Sequence, residues 1–249
     1  MQFPDELISK LLSAQNILFF TGAGISAESG IETFRGSGGL WKKYRASDLA
    51  TPEAFERNPD LVWQWYEYRR EIVRNAQPNA GHIAIAEFEK FFQSVTVATQ
   101  NVDNLHNRAG SSSVLELHGN IEKNFCSGCG KRFDFVTFKD KNNVPVCDEC
   151  GGFIRPGVVW FGEQLPFEVF QRAGIKAGSC EVCFVVGTSA LVYPAASIPE
   201  TAKRAGAYIV EINIDKTDLS EIADITLLGK SGEILPSLLT EIKNIKGTA

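Results

Sequence analysis

The chain has 249 residues, of which 44% are apolar, 22% charged and 10% aromatic, and its formal net charge is −5 at pH 7. That length buries a large core, and these fractions exclude a disordered, collagenous or coiled-coil chain. The longest uninterrupted apolar run, 182–186, has five residues against the ~20 needed to span a bilayer, and the dispersed charges leave no basic footprint for nucleic acid or a membrane surface.

The first residues carry no basic segment ahead of an apolar stretch, so no signal peptide is expected. Six cysteines in such a chain suit a reducing, cytoplasmic compartment, where paired cysteines bind metal more readily than they form disulfides. Residues 17–20 form a compact apolar strand that runs straight into Thr21-Gly22-Ala23-Gly24-Ile25-Ser26-Ala27. A glycine-rich turn between strand and helix brings backbone N–H groups close to a phosphate, and Gly22-x-Gly24-x-x-Ala27 fits a permissive dinucleotide pattern. The plainer reading is a tight turn that needs positive φ. No strand ending in an acid follows ~20 residues later, so a nucleotide here is not held in the ordinary dehydrogenase manner.

Residues 31–80 hold several aromatics and a helical pattern but no strand, and read as a helical insert. Phe34 and Arg35 lie on its first loop, where they can cover a nucleotide or simply face water. Asn58-Pro59-Asp60 starts a helix over 60–75 with Val62, Trp65, Tyr66, Arg69, Ile72 and Val73 on one face. Arg70 falls on the other, charged side with Glu67 and Arg74. A guanidinium on the inward face needs a carboxylate. The residues alone favour an internal one, such as Asp48 or Asp60, over an acid group that Arg69 and Tyr66 receive from a substrate.

A helix over 82–92 leads to a strand at 94–99, whose end crowds Gln100, Asn101 and Asp103, an arrangement costly to bury without a ligand or partners. The next strand, 114–117, carries His118 at its end, where an imidazole can take a proton near neutral pH, with Gly119 leaving room beside it. His82 and His106 fall in helices and read as capping or packing residues. Residues 120–157, with four cysteines and five glycines, read as a loop-rich module. Cys126-x-x-Cys129 and Cys147-x-x-Cys150, 17 residues apart, match a four-thiolate Zn²⁺ site whose full shell makes the metal structural. Cys180-x-x-Cys183 runs into a strand and lacks the trailing glycine, so Cys183 reads as a small buried residue. Strand 182–186 ends in Gly187-Thr188-Ser189, suited to phosphate or ribose. After a helix over 194–204, strand 208–214 carries Glu211 and Asn213, with Asp215 beyond, as candidates for ribose hydroxyls. Together these elements predict a doubly wound, mostly parallel α/β sheet, Rossmann-like, formed by 1–30, 81–119 and 158–249. The helical insert 31–80 and the zinc-ribbon module 120–157 form a smaller domain.

Taken together, these blocks resemble the sirtuin family, the NAD-dependent protein lysine deacylases. The similarity runs through Gly22-Ala-Gly24-Ile-Ser26, Gly30-Ile-Glu-Thr-Phe34-Arg35-Gly36, Thr99-Gln100-Asn101-Val-Asp103, His118-Gly119, both cysteine knuckles, Val158-Val-Trp160-Phe161-Gly162-Glu163, Gly187-Thr-Ser189 and Glu211-Ile-Asn213. Many sirtuins carry Pro and Asp where this chain has Glu32 and Thr33, a departure that leaves Phe34 and Arg35 in register. The chain looks most like the branch with a Tyr-x-x-Arg pair, here Tyr66 and Arg69, known for removing succinyl, malonyl and related acidic acyl groups; the resemblance thereby reverses the preference on Arg69. It implies NAD as cofactor, acyl-lysine peptides as substrates, and nicotinamide and O-acyl-ADP-ribose as products. His118 would be the general base, Asn101 and Asp103 would bind the nicotinamide amide, and Gln100 would sit near the ribose. Phe34 would shield the reacting centre and Arg35 would lie near the phosphates, with Gly22, Ala23, Gly24, Ser26, Gly187, Thr188, Ser189 and Asn213 completing the NAD site. Val158, Trp160, Phe161 and Gly162 would pair with the substrate backbone as an added strand. Other readings are protein mono-ADP-ribosyl transfer, an NAD or ADP-ribose sensor without turnover, and, weakest for want of a basic face, a zinc-ribbon nucleic-acid binder.

Overall fold

The computed structural model describes residues 2–34, 39–40, 44–133 and 144–246. Helix α1 (Asp5–Ser13) leads into β1 (Asn16–Thr21) and the short α2 (Ala23–Ala27). Helices α3 (Ala46–Leu49), α4 (Pro52–Arg57), α5 (Pro59–Asn75) and α6 (Ala80–Phe88) follow, then β2 (Ser94–Thr99), α7 (Leu105–Arg108) and β3 (Val114–Glu116). Three further strands, β4 (Gly119–Cys126), β5 (Arg132–Phe133) and β6 (Ile154–Val158), precede α8 (Phe167–Ala177), β7 (Val182–Val186) and α9 (Ser197–Arg204). The chain closes with β8 (Tyr208–Asn213), β9 (Ile225–Leu228) and α10 (Ser231–Lys246).

Six strands form one parallel sheet in the order β3-β2-β1-β7-β8-β9. Alternation along each central strand explains why both faces are covered. Ile17 and Phe19 of β1, Val182 and Phe184 of β7, and Val210 and Ile212 of β8 pack beneath α1, α6 and α10, through Leu7, Leu11, Ile85, Phe88, Leu235 and Leu238. Their neighbours Leu18, Phe20, Cys183, Val185 and Ile209 face Ala173, Ala177, Ile198 and Ala202 of α8 and α9. Cys183 is therefore a small buried residue between strand and helix, as read. Phe19 stacks on Phe184 at 4.7 Å between centroids and takes the edge of Phe88 at 5.3 Å.

The strand order reverses between β1 and β7, which opens a crevice at their carboxyl ends. Five of the six strands lie where the sequence put them. The sixth, β9, and the flanking helices α1, α8 and α10 carry no sequence motif. Glu211 corrects one expectation: it lies on the α8–α9 face of β8, fully buried, where its carboxylate accepts hydrogen bonds from the hydroxyls of Thr217, Ser220 and Thr226. It is not available to a ribose.

The second body contains α3–α5 and a three-stranded antiparallel sheet, β5-β4-β6. Residues 120–157 thus hold more strand than the loop-rich reading allowed, including the eight-residue β4. Its polar residues hid the strand, because Asn120 and Asn124 point inward to partners rather than outward to water. Helix α5 begins at Asn58, whose side chain caps the amide of Leu61 at 3.1 Å. It buries two faces, not one. Trp63 donates from Nε1 to Ile154 O at 2.7 Å. Arg70, expected on the charged side, is 2% exposed and donates to Ile121 O (2.6 Å), Asn124 Oδ1 (2.5 Å) and Glu67 Oε1 (2.5 Å). Tyr66 and Arg69 line the other face. Among the described residues no helix is long and apolar enough to cross a membrane.

Candidate active site

The crevice between the two bodies is a cavity of about 790 Å³, lined at one end by the glycine turn and at the other by α5. Gly22 and Gly24 are needed for close approach, not for positive φ: a Cβ on Gly24 would lie 2.6 Å from Gly187 Cα, and one on Gly22 2.6 Å from Thr188 Cβ. Two of the turn's amides are consumed by that contact. Gly22 N donates to Val186 O (3.0 Å) and Gly24 N to Gly187 O (2.7 Å). The turn therefore offers less amide cradle than its pattern suggested, with Ala23 lining the cavity between two glycines already bonded to β7.

Gln100 and Asn101, which follow β2, lie on the cavity wall. Gln100 donates to Thr188 Oγ1 at 2.9 Å, joining the ends of β2 and β7. Asn101 donates from Nδ2 to Gly22 O (3.0 Å) and Ser26 Oγ (3.1 Å). Both of its amide hydrogens are thus committed, and what it presents is the carbonyl oxygen. Ser26 and Asp103 stand one layer behind this wall. Ser26 Oγ donates to Asp103 Oδ2 at 2.7 Å, and Leu105 N donates to Asp103 Oδ1 at 2.9 Å. Burial pushes the Asp103 carboxyl up, partly offset by these hydrogen bonds.

Further back, His82 and His106 meet edge to face at 4.8 Å. His82 accepts at Nδ1 from Asn79 N (3.4 Å), which leaves Nε2–H for Ser26 Oγ (3.4 Å). His106 Nε2 bonds Thr21 Oγ1 at 2.9 Å. Burial holds His82 down to about 4 and His106 well below its usual value, so both are neutral supports of the wall, in keeping with their packing and capping reading.

His118 is half-buried on the cavity wall. Its Nδ1 lies 3.0 Å from Gln100 O. A carbonyl only accepts, so Nδ1 carries the hydrogen and Nε2 keeps a free lone pair. Burial lowers the imidazole's pKa, which keeps it a base at neutral pH. The room beside it at Gly119 (φ 79°) is filled by backbone, since a Cβ there would meet Gly157 O at 2.2 Å. His118 also marks where the chain crosses between sheets, after β3 and before β4, and Val159 N returns to its carbonyl at 2.9 Å.

At the α5 end, Arg69 is 6% exposed and its Nη1 has no hydrogen-bond partner among the described residues, although Asp103 and Glu32 act on its charge. Asp48 pairs instead with Arg57 at 3.2 Å. The guanidinium lies 4.3 Å from the Phe34 ring centroid and 5.1 Å from that of Trp65. Rings support the charge across its faces and leave the in-plane N–H groups for an acceptor. Tyr66 Oη accepts from Trp160 Nε1 at 2.9 Å, and burial pushes its phenol up to about 12. The stretch after β6 is tied internally: Trp160 N donates to Glu163 Oε2 (2.7 Å) and Phe161 N to Ala50 O (2.9 Å). Val158, Trp160, Phe161 and Gly162 all line the cavity.

The far end, where Gly187, Thr188, Ser189 and Asn213 line the cavity, also holds Lys230 and Ser231, which follow β9 and belong to no sequence motif. Asn213 donates to Thr188 O at 3.1 Å. Arg35 lies outside the described residues. In the second body the four knuckle sulfurs lie within 4.8 Å of one another, with Cys126–Cys150 at 3.4 Å and Cys129–Cys147 at 3.7 Å. A tetrahedral Zn²⁺ shell has sulfur–sulfur edges of ~3.8 Å, so these four cysteines are positioned to hold one zinc ion. Gly130 and Gly151, each following a second cysteine, have φ of 75° and 70°.

A family model described as the Sir2 family matches residues 22–194. The chain belongs to the Sir2 family. It is 52% identical over 234 residues to the NAD-dependent protein deacylase 2 of Pyrobaculum aerophilum, covering 94% of this chain and 93% of that one. Among solved structures, a Sir2 homologue mutant complexed with ADP-ribose superposes with a TM-score of 0.96 at 44% identity, covering 99% of each chain. A Sir2 protein with a deacetylated peptide and 3′-O-acetyl-ADP-ribose superposes with a TM-score of 0.84 at 33% identity, covering 95% of this chain and 97% of that one.

Proposed function

We propose that this chain is an NAD-dependent protein lysine deacylase that acts preferentially on succinyl- and malonyl-lysine. The six-stranded sheet and its crevice, drawn from 1–30, 81–119 and 158–249, serve as the NAD-binding domain, while 31–80 and 120–157 form the small domain. Family membership and the names of its relatives support the deacylase activity. The acidic preference is carried by one observation, the buried Arg69 Nη1 with no acceptor among the described residues, in the cavity that His118 also lines. Asp103 and Glu32 already act on the guanidinium electrostatically, and a carboxylate at the end of an acyl chain would add a charge-assisted pair at the open Nη1.

The residues fit NAD. The close contact of Gly22 and Gly24 on Gly187 shapes the crevice floor, and the committed amide of Asn101 leaves an oxygen for a carboxamide donor. NAD, held by these residues, would supply an electrophilic ribose carbon and nicotinamide as its leaving group. Asn101 holds the carboxamide through its carbonyl oxygen, and Ser26 and Asp103 keep that side chain in place from behind. His118 takes a proton from a ribose hydroxyl at Nε2, with Gln100 O fixing the ring. Phe34 excludes water from the reacting centre. Tyr66 and Arg69 receive the acyl carboxylate. The peptide lies along 158–162, pairing through what the internal bonds of Trp160 and Phe161 leave over. Zinc, held by Cys126, Cys129, Cys147 and Cys150, supplies cross-linking only, since four thiolates complete its shell.

The test is nicotinamide release from NAD with acetyl-, malonyl- and succinyl-lysine peptides. Release that depends on acyl peptide, fastest with the acidic acyl groups, is the expected result. Acyl transfer to ADP-ribose is checked in the same reactions by mass. No release with any acyl peptide overturns the activity. Faster turnover of acetyl than of succinyl peptide overturns the preference.

A further inference from the structure

We infer that Trp160 determines acyl selectivity by fixing the Tyr66 hydroxyl as a hydrogen-bond donor into the acyl pocket. The inference rests on the acidic-acyl reading above and names the residue that gives the pocket its polarity. An indole Nε1–H can only donate, so at the 2.9 Å contact the Tyr66 oxygen must accept. Its own hydrogen is then turned away from the indole, and Tyr66, Trp160 and Arg69 all line the same cavity. A hydroxyl left to itself serves equally as donor or acceptor. One that is already accepting from an indole offers a ligand its hydrogen.

Tyr66 and Arg69 are three residues apart on α5 and therefore share a face. With the hydroxyl oriented, that face presents an O–H and guanidinium N–H groups together. A carboxylate accepts from both, whereas the methyl of an acetyl group accepts from neither. Burial keeps the phenol protonated, in line with its upward shift to about 12.

The indole is itself held from several sides. Arg155 lies with its guanidinium carbon 3.3 Å from the indole ring centroid. Arg155 also donates to both carboxylate oxygens of Glu163, at 2.5 and 2.9 Å, and Glu163 Oε2 accepts from Trp160 N at 2.7 Å. Phe55 packs against the same ring at 5.3 Å between centroids. The Nε1–H direction is thus set by Arg155, Glu163 and Phe55 packed about the indole. Trp160 is a positioning residue, acting through Tyr66.

The experiment measures kcat/KM for succinyl- over acetyl-lysine peptide in wild type, Trp160→Phe, Tyr66→Phe and the double variant. Trp160→Phe is expected to lower the ratio about tenfold, mainly through KM for the succinyl peptide, the size of one hydrogen bond to a charged group. Tyr66→Phe should lower it to a similar degree, and the double variant no further than Tyr66→Phe alone. If Trp160→Phe does not fold, benzothienylalanine at position 160, which replaces only the indole N–H by sulfur, reads the same ratio. An unchanged ratio in the Trp160 variant, or losses that multiply in the double variant, overturns the inference while the acidic-acyl reading stands. A wild-type ratio below one overturns that reading, and this inference falls with it.

Discussion

His118 and Arg69 owe their chemistry to what each lacks. Gln100 O occupies Nδ1 of His118 and leaves Nε2 to take a proton, while burial lowers the imidazole below its usual 6.5. With the neutral form as the proposed base, kcat/KM should stay level as pH falls from 8 towards neutrality. It should then drop tenfold per unit on an acid limb set below 6.5, as a pH–rate profile will show; a limb above 7 would remove His118 from the role of base. Arg69 lacks an acceptor at Nη1 among the described residues. Arg69→Met keeps the stem and removes the charge, and should cut kcat/KM on succinyl peptide by roughly 10- to 100-fold relative to acetyl peptide, in keeping with a lost charge-assisted bond. Equal losses on both peptides would dismiss the acid pocket. Helical periodicity placed Arg69 on an inward face, yet it misjudged Arg70, because spacing marks a single stripe and α5 buries two. Nor did it tell which carboxylate lay near: Asp48, close in sequence, is paired with Arg57.

At the level of elements, the glycine turn, the ends of β2 and β7 and the α5 helix converge on one crevice through contacts that leave little slack. Gly24→Ala forces a Cβ to within 2.6 Å of Gly187 Cα and 2.7 Å of Gly187 O, both backbone atoms that cannot turn aside. It should destabilise the chain by about 1–3 kcal/mol in urea melts and weaken NAD binding by calorimetry. Gly30→Ala is the comparison, since φ there is +84° but a Cβ would meet no described atom within 4 Å beyond its chain neighbours, so strain acts alone and NAD affinity should hold. A normal NAD affinity in Gly24→Ala would separate the turn from the cofactor. Strands β1, β2, β3, β7 and β8 were legible because each is an apolar run ending in a polar or glycine motif. Strand β9 is short, half-buried and at the sheet edge, so its pattern is weak. Strand β4 escaped because Asn124 and Asn120 face inward to Arg70 and Glu116, partners supplied by other elements that local pattern does not see.

Across the whole molecule, the proposed division into two bodies predicts separable tasks. The four thiolates close the small sheet at the end of β4, and β6 runs from that sheet directly into 158–162 on the cavity wall. Stripping zinc with a strong chelator should release one metal per chain, lower the melting temperature and abolish peptide turnover. Affinity for NAD at the six-stranded sheet should change by only a few-fold. Measured together, metal content, melting and NAD calorimetry check this, and a parallel collapse of NAD binding would show that the bodies are not separable. The knuckle spacing made the metal site the most legible feature of the chain, since tetrahedral thiolate ligation needs little beyond local geometry. His118 sits where the chain passes from one body to the other, with the outgoing and returning segments bonded to each other at its own carbonyl. If the smaller body swings about that pivot, the cleft gapes most at its distant rim and least at the imidazole, so substrate can enter and leave while the base stays in register with the ribose.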